Sequence, residues 1–293
     1  MRTTADAIAA FTAALRARHA SSNTLKAYSH DLSQFAREVP AQLKSIDLAT
    51  IRQFLQGSEG LSVATRRRRA ATLNTFYRWL VRQEWLPSSP MEWLEPEKAP
   101  SRLPRPLPPE TVAAILAAIP ASETRDRALF TLLYETGMRV GEALSLQYTD
   151  IDLTPDDEKV RVLGKGQRER TVLLTAAPES LRLLRRHLRT SGITGGSVFR
   201  GDPRFGGSNL PLDYSTLRRA WQWYCQQANV QATIHQLRHS CASELIQAGV
   251  PLGTIRKLLG HRNIQSTMLY AEVDPLTVKR DLLAYQRRKG RRR

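Results

Sequence analysis

The side chains that could do chemistry in this 293-residue chain lie far apart, and each is ordinary by itself. Thr136-Gly137-Met138-Arg139-Val140-Gly141-Glu142 puts an arginine just after a glycine at the start of a helical pattern, with a carboxylate three residues on and on the same face. Alone, that is a surface ion pair worth about 0.2–0.5 kcal/mol. Lys165 stands between Gly164 and Gly166 at a predicted hairpin tip, from which a flexible cation can reach a ligand; turn lysines are ordinarily just solvated. No Ser or Thr follows it and the Walker spacing is absent, which argues against a nucleotide P-loop. In Thr233 to His239, His235, Arg238 and His239 share a helix face, so an imidazole and a guanidinium converge. The two histidines have a zinc spacing, but Gln236 replaces the glutamate of HExxH and Arg238 would oppose a cation. His239 then reads as a supporting or core residue. His261 follows a helix ending at Gly260, and Tyr270 lies nine residues on, where a lone tyrosine is ordinarily half-buried core. As a set, two arginines, a lysine, histidines and a tyrosine, without paired carboxylates or a metal-ligand group, match the needs of a phosphodiester in transfer. Guanidinia suit the non-bridging oxygens, an acid the leaving oxygen, and a hydroxyl with a nearby base the attack. The chemistry implied is phosphoryl transfer through a phosphotyrosine.

Composition narrows the partner. Lys and Arg number 44 against 27 acidic residues, a net charge of +17, in a chain 41% hydrophobic and only 24% charged. That is a globular protein with surplus positive surface rather than a disordered tail. Its expected partner is a polyanion, most commonly nucleic acid. Two cysteines, Cys225 and Cys241, are too few for a disulfide framework and form no CxxC, which fits a reducing cytoplasm. The first twenty residues hold no signal-peptide core, and no run nears the roughly 18 apolar residues of a membrane span.

The length suits about two domains, and the proline-rich stretch Pro87 to Pro109 reads as an extended linker between them. Before it, apolar residues at helix spacing (Ile8, Phe11, Leu15; Leu25, Tyr28, Leu32, Phe35; Ile51, Phe54, Leu55; Leu73, Phe76, Tyr77, Leu80) predict a four-helix bundle. Ser22 or Asn23 is placed to cap the second helix and Ser62 the fourth. The fourth helix carries Arg66, Arg67, Arg68 and Arg69, which repel one another unless an anion neutralises them. They read as a phosphate-contacting patch, the alternative being a solvated face. Beyond the linker, helices are expected at Thr111 to Ala118, Asp126 to Thr136, Val140 to Gln147, Leu181 to Arg189, Tyr214 to Gln227, His235 to Ala248, Leu252 to Leu259 and Pro275 to Arg288. Val160, Val162 and Thr171 to Leu173 predict a β-hairpin around Gly164-Lys165-Gly166. The fold class is therefore mainly α, a helical bundle followed by a mostly helical domain with a small antiparallel sheet. Without alternating strands and crossover helices it is neither a Rossmann domain nor a TIM barrel.

The order of SSNTLKAYSHDLSQF, LPRPLPPETVAAIL, TGMRVGEALSL, VLGKGQRERTVLL, IHQLRHSCASELIQAG and LLGHRNIQSTMLYAEV resembles the tyrosine recombinase, or phage integrase-like, family, most of all its Xer-like two-domain members. The resemblance covers nearly the whole chain. It implies a core-binding, DNA-binding domain over 1–90, a linker over 91–108 and a catalytic domain over 109–293. It further implies that Arg139 and Arg238 clamp the scissile phosphate, that Lys165 is the general acid toward the 5′ oxygen, and that Tyr270 forms a 3′-phosphotyrosyl bond. His235 would take the tyrosine proton or bond the phosphate, His261 would donate to a non-bridging oxygen, and Glu142 would support Arg139. Such a reaction keeps the phosphodiester energy in the protein–DNA bond and requires no ATP, metal or cofactor. The partners implied are a double-stranded DNA recombination site and a tetramer, of this chain or with a related recombinase, exchanging strands through a Holliday junction at the cytoplasmic nucleoid. The apolar side of the segment after Tyr270 (Leu276, Val278, Leu282, Leu283, Tyr285) would dock on a neighbouring protomer or on its own domain. Ile234, Cys241 and Leu174 depart from common family residues without removing a reacting group. A DNA-binding regulator that does not cut, and a type IB topoisomerase, are the competing readings. The arginine-rich end, Arg287 to Arg293, is less explained by the family and reads as a phosphate-binding extension or as solvated charge.

Overall fold

In a computed structural model of the chain, the residues described are 3–57, 60–95, 97, 105–164, 168–201 and 210–260. The chain divides into two units, Met1–Ser101 and Arg102–Arg293.

Four helices build the first unit: α1 (Thr4–Ala17), α2 (Ser22–Glu38), α3 (Leu48–Gln56) and α4 (Val63–Arg82). Each starts at a side chain, Thr3, Ser21, Asp47 or Ser62, that accepts a hydrogen bond from the backbone three residues on. That satisfies a donor the first turn leaves open. Ser62 caps α4 as expected. For α2 the cap is Ser21 rather than Ser22 or Asn23, because the helical backbone already begins at Ser22. Phe11, Leu32, Phe35, Ile51, Phe54, Leu73, Phe76 and Tyr77 bury the apolar faces in one core.

The four arginines expected to form a phosphate-contacting patch on α4 have different surroundings. Successive residues turn about 100° around a helix, so four in a row face four ways. Arg66 donates to both carboxylate oxygens of Glu97 and to the Leu61 carbonyl. Arg68 donates to the buried Asp31. Arg69 is only 5% exposed; it donates to Gln34 Oε1 and sits over the Phe54 ring, 5.0 Å from its centre. Arg67 is exposed. Acceptors within the unit thus engage three of the four, and mutual repulsion no longer demands an outside anion.

The proline-rich stretch is anchored where it is described. Pro90–Trp93 forms a 3-10 turn that buries Met91 in the first core. Leu107 is buried in the second core; its N–H donates to Ser240 Oγ at 2.8 Å, and that hydroxyl approaches the Leu107 carbonyl at 3.1 Å. Prolines supply no backbone donors, but the apolar residues between them find cores at both ends.

The second unit contains α5 (Pro109–Ala117), α6 (Thr124–Thr136), α7 (Val140–Leu144), the strands β1 (Ile151–Asp152), β2 (Lys159–Gly164) and β3 (Arg168–Leu173), then α8 (Pro178–Ser191), α9 (Tyr214–Gln227), α10 (Ile234–Gln247) and α11 (Leu252–Leu259). It is mostly helical with a small antiparallel sheet, as expected. The sheet has the order β1-β2-β3, and the hairpin register pairs Val160 with Val172 and Gly164 with Arg168. The two-residue β1 is too short to show in a sequence pattern. At the centre lies α6, with Ala128, Leu129, Phe130, Leu132 and Leu133 buried, packed against α8 and α10. Most helix limits fall within two residues of the expected ones, and two differ by three. The helix expected to run to Gln147 closes at Ser145, where the chain turns toward β1. The helix expected from Leu181 begins a turn earlier, because the Glu135 carboxylate on α6 accepts the Ser180 N–H at 2.7 Å and its hydroxyl at 2.6 Å. The helix expected over Pro275 to Arg288 and the basic tail lie outside the described residues. Among the described residues, no helix is long and apolar enough to cross a membrane.

The turn between α6 and α7 permits no side chain. Gly137 has φ +60°, and a Cβ there would stand 2.5 Å from Leu259 Cδ2 and 3.1 Å from Cys241 Sγ. Gly137→Ala is expected to lose about 2–4 kcal/mol from backbone strain and overpacking together, read as a lower urea midpoint. An unchanged midpoint would show that the turn yields freely.

Candidate active site

Arg139 occupies the N-cap position of α7, where its backbone N–H donates to Glu142 Oε2 at 2.8 Å and its Nη1 to Glu142 Oε1 at 2.9 Å. The pair foreseen from the spacing is therefore formed, but around a carboxylate only 5% exposed. A buried carboxylate requires more than one cation or donor. Arg170 on β3 provides it, donating from Nη1 to Glu142 Oε1 at 2.7 Å. Burial works to raise the Glu142 pKa. The hydrogen bonds from Arg170 and from the Arg139 backbone, with the Arg170 charge, outweigh it and hold the carboxyl below its usual range.

Arg238 enters from α10 and is 4% exposed. It donates from Nη1 to the Gly137 carbonyl and from Nη2 to the Leu259 carbonyl, the latter at 2.8 Å. The Leu259 oxygen belongs to the last turn of α11, whose neighbouring carbonyls are used in the same way. Arg170 Nε donates to Leu258 O at 3.2 Å, and Arg139 Nη2 to Gly260 O at 3.0 Å. A helix end leaves such carbonyls without intrahelical partners and at the negative pole of its dipole. Three arginines from three elements thus hang from three successive carbonyls. Gly260 closes the helix at φ +65°, a conformation that favours glycine.

His235, the first residue after Ile234 on α10, keeps an exposed edge. The protein packed beneath it and the charges of Arg238 and Arg139 lower its pKa. One turn on, His239 stands with its ring centre 4.5 Å from that of His235, nearly perpendicular. Burial, His235 and Arg238 push His239 down to about 4. Gln236, which breaks the zinc-protease pattern, serves the start of its own helix instead, where its Oε1 accepts the Thr233 N–H at 2.8 Å and so caps α10. Among the described residues, no three His, Cys, Asp or Glu gather as a metal site.

Of the residues singled out from the sequence, the structure brings Arg139, Glu142 and Arg238 to the end of α11, with His235 close enough to feel both guanidinium charges. Lys165, His261 and Tyr270 lie outside the described residues. Arg66, Arg67, Arg68 and Arg69 belong to the other unit. Arg170 was missed. Its signal is strand phase, since it lies two residues from the buried Val172 and shares the inward face of β3.

Residues 105–276 match the phage integrase family, and residues 8–84 match the N-terminal SAM-like domain of phage integrases. The chain belongs to the phage integrase family. This family member is 33% identical over 283 residues to tyrosine recombinase XerC of Xanthomonas axonopodis pv. citri (strain 306), covering 88% of each chain. It is also 33% identical over 270 residues to tyrosine recombinase XerC of Myxococcus xanthus, covering 86% of this chain and 88% of the relative. Its fold is that of the XerH site-specific recombinase bound to palindromic difH substrate in a post-cleavage complex, with a TM-score of 0.70, 22% identity and coverage of 92% of this chain and 82% of the other. A lambda integrase tetramer bound to a Holliday junction shares it too, with a TM-score of 0.72, 20% identity and coverage of 90% and 78%.

The low pKa of His239 links stability to pH. Between about pH 6.5 and pH 4 the unfolded chain takes up a proton that the folded chain refuses, so stability is full above that window and falls as the pH drops through it. His239→Phe is expected to flatten the dependence of Tm on pH in this window. An undiminished slope would assign the proton uptake to other groups.

Proposed function

We propose that this phage integrase family member is a site-specific DNA recombinase that cuts and rejoins strands through a 3′-phosphotyrosyl intermediate at Tyr270. The observation that carries the reading is the gathering of Arg139 and Arg238, from separate helices, on successive carbonyls of one helix end. Planar guanidinia held in fixed orientations suit the non-bridging oxygens of a phosphodiester, and preorganised donors stabilise charge that develops there in the transition state. Arg139 keeps 38% of its side chain exposed, open to a substrate, while Glu142 holds it from behind.

The remaining roles follow from the chemistry of each residue. A His235 held below the ordinary imidazole pKa is neutral near pH 7 and so able to accept the phenolic proton as Tyr270 attacks phosphorus. Lys165 protonates the departing 5′ oxygen, and His261 donates to a non-bridging oxygen. The phosphodiester is exchanged for a phosphotyrosyl ester, and the 5′ hydroxyl of another strand reverses the step. Bond energy is conserved, so neither ATP nor a metal ion is required. The substrate is a double-stranded recombination site. Four protomers, of this chain or shared with a related recombinase, exchange strands in pairs through a Holliday junction at the cytoplasmic nucleoid. In this reading residues 1–90 form the DNA-holding domain, 91–108 the linker and 109–293 the catalytic domain.

Trapping on nicked DNA tests the proposal. Genomic fragments enriched by binding, nicked beside the mapped site, should yield a covalent protein–DNA adduct. Binding without any adduct would make the protein a regulator, and relaxation of arbitrary supercoiled plasmid by monomers would make it a topoisomerase. Tyr270→Phe should bind with unchanged Kd and give no adduct; an adduct from that variant would remove Tyr270 as nucleophile. In the first unit, Arg67→Ala should reduce the slope of log K against log salt by about 0.9, the share of one phosphate contact. Arg69→Ala should instead lower stability by about 1–3 kcal/mol, because it leaves the half-buried Gln34 without this donor and uncovers the Phe54 ring. A slope unmoved by Arg67→Ala would take that side chain out of the interface.

A further inference from the structure

We infer that Arg170 is a positioning residue that sets the orientation of Arg139 and Arg238 together; the inference rests on the proposed recombinase reading. Arg170 is poorly placed to touch DNA itself. Its side chain is 14% exposed, and its Nη2 is buried. Its reach is inward, to Glu142 Oε1 through Nη1 and to the Leu258 carbonyl through Nε.

Both contacts bear on the clamp. Glu142 Oε1 is shared between Arg170 and Arg139, at 2.7 and 2.9 Å. With Arg170 removed, Glu142 Oε1 is left to Arg139 Nη1 alone while Oε2 stays on the Arg139 backbone N–H, and the carboxylate is free to turn about that contact. That turn would draw Arg139 Nη2 away from the Gly260 carbonyl, 3.0 Å distant. The Leu258 carbonyl immediately precedes those that receive Arg238 and Arg139. Successive residues of a helix rise only 1.5 Å, so a shift at Leu258 moves the other two acceptors with it. The chain is shaped closely around this guanidinium, since a Cβ on Gly260 would stand 3.2 Å from Arg170 Cδ and Nε. Lysine offers one point of charge and cannot address two acceptors in different directions.

The test compares single-turnover cleavage of two nicked substrates, one with a normal scissile phosphate and one with an uncharged methylphosphonate there. Misplaced guanidinia matter where the phosphate carries charge, whereas general loosening of the fold slows both substrates. Arg170→Lys should keep DNA Kd within about 2-fold of wild type and slow diester cleavage by about 10²-fold, the size of effect expected from displacement by about 1 Å. On methylphosphonate its deficit should shrink at least 10-fold. Diester cleavage at the wild-type rate, or equal slowing on both substrates, overturns the inference. Should Arg170→Lys fail to fold, Gly260→Ala presses on the same guanidinium from the backbone, with the same diester-selective loss expected and the same contrary outcomes. Failure of the recombinase reading looks different: the wild-type chain itself then forms no adduct.

Discussion

Three guanidinium groups crowded at one place repel one another, and the second unit depends on what cancels that repulsion. The end of α11 does so with main-chain oxygens. Magnitudes identify the larger contribution: a helix dipole contributes about 0.3–1 kcal/mol to a nearby cation, whereas a hydrogen bond to a charged group contributes about 1.5–3 kcal/mol. The carbonyl contacts of Arg139, Arg170 and Arg238 therefore outweigh the dipole, and Glu142 adds a full negative charge shared by Arg139 and Arg170. Remove that carboxylate, and Arg139 and Arg170 would lose the counter-charge that α7 supplies.

Burial and then the surplus of positive charge set the state of the histidines. Arg238 adds to burial in lowering the pKa of both His235 and His239, so the charge that suits an anion also disfavours a protonated imidazole beside it. An anion placed between the guanidinia would offset the field that depresses His235, making the imidazole a stronger base once the anion has arrived. The cations that would attract an anion thus also add to what keeps the imidazoles neutral.

Features written within a few neighbouring residues were legible in the sequence. The Arg139–Glu142 pair, the shared face of His235 and Arg238, and the limits of α9 and α11 all depend on local spacing and termini. The order of motifs also pointed to the family ahead of any fold. What escaped depends on distant partners. Arg68 and Arg69 find Asp31 and Gln34, 37 and 35 residues earlier, so four consecutive arginines looked more alike than they are. The early start of α8 waits on Glu135, 45 residues before Ser180. Arg170 looked like one more charge in a basic hairpin, because its importance arises from meeting α7 and α11 at once.

Anchoring on main-chain oxygens has an evolutionary consequence. Every amino acid brings the same carbonyl, so drift at Leu258 and Leu259 leaves the acceptors themselves in place so long as the helix keeps its path. Mutation of most α11 side chains can alter packing or surface charge but cannot delete an acceptor. The fragile points are the donors and the left-handed glycine that ends the helix. Homologous helices are thus free to diverge widely in letters while preserving the atoms that matter.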